Sequence, residues 1–526
     1  MQSIFQSIQA LLSRKPSNDC EGREFSTDEL RQITSTQSFL YEKGTGFLDD
    51  ITWNDLSMDA IYAKLALTKT LPGDAAIYNL LRNPATTPDP LDDRVQSLKW
   101  IQAHRVEGAA MRQVLSKTNR RRATNLEAAL EAPAFGGWLW ICTALSAILA
   151  VSLTLAFLGW RYGIIIATIS FAVNTVTGFL LNARLAYAAE GVGDLLLFLR
   201  CSRELCKQKE GNFPFFRSLH ALMSGLRGIP DRGILSVLYD TNPLTLFINY
   251  SFLLSAVSYL IIARKIRRRK RELKQMLALL GLIDAMLAID VFRQEAGDWC
   301  EPTWCTDIRL KASGIYHPLL RNGVRNDIDT QRHILLTGSN ASGKSTFLKT
   351  LAVNAILGQS VLTCMAECYE APLYKVQSSM ALRDDIHSGK SYFIVEIQSI
   401  KRMYDDMKDN TVPHLLLIDE VLRGTNTIER IAASTEILST FSRLHCLCVA
   451  ATHDLDLTYA LDGVYANYHF AETLDNEGVR FDFVLRKGRS LSRNAIALLA
   501  MIGFDAEVVE RAEARARALS RETGNP

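Results

Sequence analysis

The 526-residue chain has no strong charge of either sign, its formal net charge being +3. This excludes a global basic field, so any contact with nucleic acid has to come from local patches. No paired C-x-x-C elements stand at zinc-ribbon spacing among its ten cysteines, which removes the sequence case for a structural zinc site. Scattered thiols of this kind read as reduced, in a cytosolic body. The first fifteen residues lack the basic, apolar and cleavage regions of a secretory signal in that order. With 48% hydrophobic and 22% charged residues, the composition is also not that of a disordered chain.

The sharpest absence is local. No charged residue occurs from Gly137 to Gly159, and none from Tyr162 to Ala183, with Arg161 between the two runs. Each run is longer than the roughly 20 residues a helix needs to cross a bilayer core. Trp138, Trp140, Trp160 and Tyr162 sit near the run ends, as interfacial aromatics do. Arg120, Arg121 and Arg122 lie ahead of the pair and Arg184 just after it, so both flanks are expected to face the cytoplasm. A transmembrane helical hairpin at 137–183 is therefore expected, in preference to a hairpin buried in a soluble core.

A third apolar stretch, Leu244–Ala263, precedes an octet from Arg264 to Arg271 in which seven residues are basic. As a third span it would separate the N-terminal region from the C-terminal nucleotide site described below. A helix packed in the core or lying on the membrane is favoured, with the third span left open. Residues 264–290 then read as one long helix, with Leu273, Met276, Leu277, Leu280 and Ile283 at helical spacing.

Beyond Asp307 short aliphatic runs alternate with helical segments, the pattern of an α/β domain with a mostly parallel sheet. Its strongest signal is Gly338-Ser339-Asn340-Ala341-Ser342-Gly343-Lys344-Ser345-Thr346, a G-x-x-x-x-G-K-[ST] phosphate loop. Ile334, Leu335 and Leu336 form the strand before it, and a helical run follows from Phe347. The loop glycines let backbone N–H groups turn toward phosphate oxygens. Lys344 is expected to reach the β- and γ-phosphates of ATP, and Ser345 to ligate Mg²⁺. Leu415–Ile418 reads as a buried strand ending in Asp419 and Glu420. Asp419 suits the Mg²⁺ shell, and Glu420 suits orienting and deprotonating the attacking water. The next apolar strand ends at His453, placed to bond the γ-phosphate or that water. Ser388-Gly389-Lys390-Ser391 precedes another helical run; Ser391 either caps that helix or presents its N-terminus to a phosphate, including one bound by another subunit.

The segment Asp307–Leu519 resembles the ATPase domain of MutS proteins. Tyr316-His317-Pro318, Asn340, Ser391–Ile397, Asp419-Glu420 followed by Arg423-Gly424-Thr425-Asn426-Thr427, and Ala451-Thr452-His453 match family motifs in order. Residues from Asn494-Ala495-Ile496-Ala497 through Leu519 look like the helices that hold MutS dimers together. Thr52-Trp53-Asn54-Asp55-Leu56 is more weakly similar to the start of the core in membrane-associated MutS-like proteins. The resemblance implies a homodimer with composite ATP sites, Ser391 acting in trans, and double-stranded DNA held by a clamp of long helices under ATP control. The chain departs from the family pattern at Tyr392 (for Thr), at Leu422 (for Gly), and near Val324, where an adenine-stacking aromatic is expected. A mismatch-reading domain with its Phe-x-Glu wedge is not found.

Together these features predict a P-loop ATPase domain C-terminal to a mostly α-helical core that contains a transmembrane hairpin. The expected divisions are an N-terminal segment 1–45, core 46–136, hairpin 137–183, core or lever 184–306, ATPase domain 307–490 and dimerisation helices 491–526. The expected function is a MutS-like ATPase anchored in the lipid bilayer of the inner membrane, its ATPase domain cytoplasmic, coupled to DNA binding. The alternative is a membrane-bound ATP switch that assembles partners without touching DNA. A transporter ATPase is disfavoured, because no L-S-G-G-Q signature precedes the acidic strand and the spans are too few.

Overall fold

The computed structural model describes residues 25–118, 126–131, 137–207, 213–230, 242–339, 342–380, 392–408, 412–422, 426–475, 478–489 and 503–522. The chain forms two compact units whose boundaries depart from linear order. Gly44–Ile61 and Leu81–Pro88, expected within the helical core, group with residues from Ala296 onward.

Among the described residues that second unit carries ten strands: β1 (Thr303–Trp304), β2 (Leu310–Ile315), β3 (Asn326–Thr330), β4 (His333–Thr337), β5 (Cys368–Ala371), β6 (Lys375–Ser379), β7 (His414–Asp419), β8 (Cys446–Ala451), β9 (Tyr465–Asp475) and β10 (Gly478–Lys487). Six form a sheet in the order β10-β9-β4-β8-β7-β6, and β1-β5-β2-β3 form a smaller one. In the larger sheet every pair is parallel except β9 with β10. β7 and β8 are buried at every position, as unbroken aliphatic runs in a sheet covered on both faces require. The helix Lys344–Val361 packs on β7 and β8, and nearly all of its residues are buried.

The early segment joins this unit through specific polar bonds. The Asp55 carboxylate accepts from Ser378 Oγ at 2.8 Å and from the Met380 amide at 2.9 Å. Thr52 Oγ accepts from the Ser378 amide at 3.1 Å. The Thr52–Leu56 motif thus satisfies backbone groups at the C-terminal end of the edge strand β6, which water would otherwise have to solvate.

The other unit is helical. Helices Trp138–Phe157 and Gly163–Lys207 pack together as a pair. The second runs unbroken for 45 residues, well past residue 183, because nothing between 184 and 207 interrupts helical geometry. Among the described residues, three helices are long and apolar enough to cross a membrane: Trp138–Phe157, Gly163–Leu185 and Lys270–Glu295. They differ in cover, with 17%, 28% and 72% of the apolar window buried within the protein. Lys270–Glu295 is a core helix: its Asp284 carboxylate accepts from the Thr70 amide at 2.8 Å and from Thr70 Oγ at 2.7 Å. Burial there pushes the Asp284 carboxyl up to about 6.

The single helix expected over 264–290 is instead interrupted. Leu254–Arg268 ends at Arg269, whose φ of −119° leaves the helical region, and a new helix starts at Lys270. Upstream, Pro243–Phe252 and Leu254–Arg268 meet at a bend of 64° on Leu253, which is left-handed at φ +50°. The apolar stretch is therefore two short helices.

Candidate nucleotide-binding site

β4 delivers the chain into the phosphate loop, and the loop opens directly into the helix at Lys344. Gly338 has φ +149° and Gly343 φ +105°. A Cβ at Gly338 would come within 2.7 Å of Ser342 Oγ, and one at Gly343 within 3.1 Å of the Phe483 ring. Both positions therefore need glycine on conformational and steric grounds. Lys344 is buried, and its Nζ donates to the carbonyls of Gly338 and Ser339, each at 2.8 Å. Ser339 Oγ is bonded to the Glu472 carboxylate, tying the loop to β9.

The strand order places β8 between the loop-bearing β4 and the acid-bearing β7. Asp419 pairs in register with Ala451, and Glu420 N donates to the Ala451 carbonyl at 3.0 Å. Glu420 and His453 consequently emerge side by side at the C-terminal edge, where parallel sheets bind ligands. His453 Nε2 lies 2.7 Å from Glu420 Oε1 and 3.3 Å from Lys344 Nζ. Ser345 Oγ donates to Asp419 Oδ2, so the two expected Mg²⁺ ligands already touch. Lys344, Ser345, Thr346, Asp419, Glu420 and His453 all line one cavity of about 870 Å³, a size suited to a nucleotide.

The turn after β7 is left-handed at Glu420, φ +63°, and again at Leu422, φ +62°. A buried glutamate holds it: Glu396 Oε1 accepts from the Leu422 amide at 2.6 Å. On the other side Arg430 clamps Asp454 with two bonds, Nε to Oδ2 at 2.9 Å and Nη2 to Oδ1 at 2.8 Å. Asp454 holds the Arg430 guanidinium firmly charged, above its ordinary value. Each turn is thus fixed by a charged partner next to a site residue, which limits the freedom of Glu420 and His453.

Asn340, Ala341 and Ser391 lie outside the described residues, as do Arg423-Gly424-Thr425 and Asn494–Ala497. Within the expected dimerisation region the structure describes one helix, Ala506–Glu522. Sequence reading missed Phe483. Val324 does line the cavity, but so do Phe470 and Phe483, from the distant β9–β10 hairpin. Phe483 sits where the hairpin register shifts, in a left-handed conformation at φ +55°. Asn326 pins it in place, donating to the Phe483 carbonyl at 3.1 Å and accepting from the Leu485 amide at 2.6 Å. No motif marks Phe483, because its place depends on a bulge and on an asparagine in another sheet.

Residues 334–520 match the family description MutS domain V. Over 267 residues the chain is 28% identical to the DNA mismatch repair protein MutS of Thermus thermophilus, covering 50% of this chain and 32% of that protein. It is 31% identical over 252 residues to MutS of Petrotoga mobilis, covering 44% and 30% of the two chains. With MutS of Natronomonas pharaonis the figures are 32% over 232 residues, 41% and 26%. The chain thus spans about a third or less of the length of these relatives.

Proposed function

Because residues 334–520 of this chain belong to the MutS family, we propose that it binds ATP and hydrolyses it to ADP and phosphate. The observation that carries this reading is the convergence of Lys344, Ser345, Asp419, Glu420 and His453 on one cavity. Lys344 and the loop amides grip the β- and γ-phosphates. Ser345 and Asp419 would hold Mg²⁺, which when bound neutralises charge on the phosphates. Glu420 aligns a water against the γ-phosphorus and takes its proton as the oxygen–phosphorus bond forms. The bond from that phosphorus to the bridging oxygen breaks, and ADP leaves. His453, bonded to Glu420, fixes the carboxylate and stands beside Lys344 at the phosphate.

Two extensions complete the proposal. The scarcely covered apolar pair Trp138–Phe157 and Gly163–Leu185 anchors the protein in a bilayer as a hairpin, with the ATPase in the cytoplasm. The chain acts as a homodimer with composite sites, Ser391 completing the partner's site, and couples ATP to double-stranded DNA. A membrane-bound assembly switch without DNA remains the second reading, because the basic run at 264–271 suits lipid headgroups as well as nucleic-acid phosphates.

The test is ATP turnover of the detergent-solubilised protein, alone and with duplex or branched DNA. Glu420→Gln should retain Mg·ATP and lose turnover, and Lys344→Ala should lose nucleotide retention. Parent-rate hydrolysis by Glu420→Gln would sink the assignment. DNA-insensitive turnover, with salt-dependent binding to anionic vesicles alone, would favour the switch.

A further inference from the structure

The bent pair Pro243–Phe252 and Leu254–Arg268 is apolar, yet it does not sit apart from the hairpin. Asn174, fully buried, donates from Nδ2 to the carbonyl of Ser251 at 2.7 Å. Ser146 Oγ donates to the carbonyl of Phe252 at 2.7 Å. Asn249 Oδ1 accepts from the Ser255 amide at 2.8 Å. These are backbone groups released where the helix breaks at Leu253, and in hydrocarbon such groups must find protein partners. Both outside donors come from the charge-free runs, Ser146 from 137–159 and Asn174 from 162–183. At 1.5 Å per residue, Ser146 lies about 12 Å along its helix from Trp138, and Asn174 about 17 Å from either end of Gly163–Leu185. The break is therefore at mid-depth in the apolar zone.

The path of the chain on either side follows from further contacts. Phe247 packs on Phe171, ring centroids 5.3 Å apart, and Phe171 is nearer than Asn174 to the Trp160 turn. The chain is thus deeper at Phe247 than at Leu253. It then climbs outward to Lys270, whose Nζ is 2.8 Å from Glu131 Oε1, just ahead of the hairpin. The upstream flank is on that same side. Lys265 Nζ donates to the Gly228 carbonyl at 2.8 Å. Arg203 donates to the carbonyls of Leu226 and Ile229 at 3.1 and 2.6 Å. Arg203 lies about 27 Å beyond Leu185 on the same helix at 1.5 Å per residue. A third crossing would put Gly228 and Lys265 on opposite sides of a hydrocarbon core about 30 Å thick. The outward faces are apolar: Leu244 is 66% exposed and Phe247 58%.

From the hydrogen bonds of Asn174 and Ser146 to the break, and of Lys265 to Gly228, we infer that residues 242–263 form a re-entrant membrane segment. Its described part rises from within the bilayer beside the hairpin to the side on which Gly228 also lies, so the number of crossings between Gly228 and Lys265 stays even. Its exposed apolar side chains face lipid tails, and the basic run from Arg264 meets anionic headgroups at the exit. This inference rests on the proposed membrane hairpin.

The test is thiol labelling of the full-length chain in sealed membrane vesicles of either orientation. A membrane-impermeant maleimide is used, and the labelled peptide is identified by mass spectrometry. Four single variants are compared, Trp160→Cys, Gly228→Cys, Phe247→Cys and Arg269→Cys, each first checked for retention of Mg·ATP. Gly228→Cys and Arg269→Cys should label from one face and Trp160→Cys from the other. Phe247→Cys should react at least tenfold more slowly in vesicles than in detergent. Labelling of Gly228→Cys and Arg269→Cys from opposite faces overturns the re-entrant path while the hairpin stands. So does Phe247→Cys reacting in vesicles at its detergent rate. Labelling of Trp160→Cys from the same face as Arg269→Cys overturns the hairpin, and this inference with it.

Discussion

His453 Nε2 lies 2.7 Å from Glu420 Oε1, and the two residues leave the adjacent parallel strands β8 and β7 at the same level. If the ring acts by holding the carboxylate, the two residues work as one unit and their losses do not add. His453→Ala is expected to lower kcat by about 10²-fold, within the range for a positioned acid–base group. The ATP dissociation constant should stay within a few-fold of the parent. Adding Glu420→Gln should then cost little beyond Glu420→Gln alone. Steady-state ATPase rates of the two single variants and the double variant check this; fully additive losses would separate the roles.

Phe483 lies on the cavity wall with its ring against Gly343. An aromatic contact of this kind is worth about 0.5–1.5 kcal/mol beyond burial. Phe483→Leu should therefore raise the Kd for ATP roughly 2- to 12-fold while leaving kcat nearly unchanged. Calorimetric titration with Mg·ATP measures it, and an unchanged Kd would remove Phe483 from the nucleotide contact.

Leu422 holds a left-handed conformation that costs a side-chain-bearing residue about 1–2 kcal/mol. It is also buried, in the same core cluster as Ile400 and Leu438. Losing a buried leucine side chain costs about 2–5 kcal/mol, so packing outweighs strain. Leu422→Gly should destabilise the ATPase unit by about 1–3 kcal/mol, read as a lower urea midpoint for the transition that Mg·ATP shifts. A higher midpoint would mean that strain dominates.

His333 opens β4, and its Nδ1 accepts the Cys448 amide at 3.1 Å. Burial pushes its pKa below the ordinary 6.5. The unfolded chain therefore takes up a proton on this histidine at a pH where the folded chain still refuses it. The neutral ring's contribution is intact above 6.5 and is lost as pH falls through the lower folded value. The urea midpoint of the ATPase unit should fall between pH 7 and pH 5.5, and His333→Gln should flatten that slope. Equal slopes in parent and variant would assign the acid sensitivity elsewhere.

Much of the site was legible because its parts are local. A run such as Ile334–Leu336 must be strand, and glycines at 338 and 343 mark a backbone that other residues resist. Asp419, Glu420 and His453 each end an aliphatic run, so parallel pairing brings them to one edge. The Thr52–Leu56 motif was legible as a segment but not as part of the ATPase unit, since its anchors on Ser378 and Met380 lie more than 300 residues away. The interrupted helix at Arg269 was missed because no proline or glycine stands near that residue to mark a break.

The sequence alone determined the phosphate loop, the acidic and histidine-bearing strand ends, and two uncharged runs long enough to span a bilayer. These follow from propensity, periodicity and spacing within a few residues. Only tertiary structure decided that Phe483 reaches the cavity, that Glu396 and Arg430 brace the turns carrying Glu420 and His453, and that the 243–268 helices break where Asn174 and Ser146 can satisfy them. Each depends on a bond between residues distant in sequence, and a one-dimensional pattern does not encode which distant donor meets which acceptor.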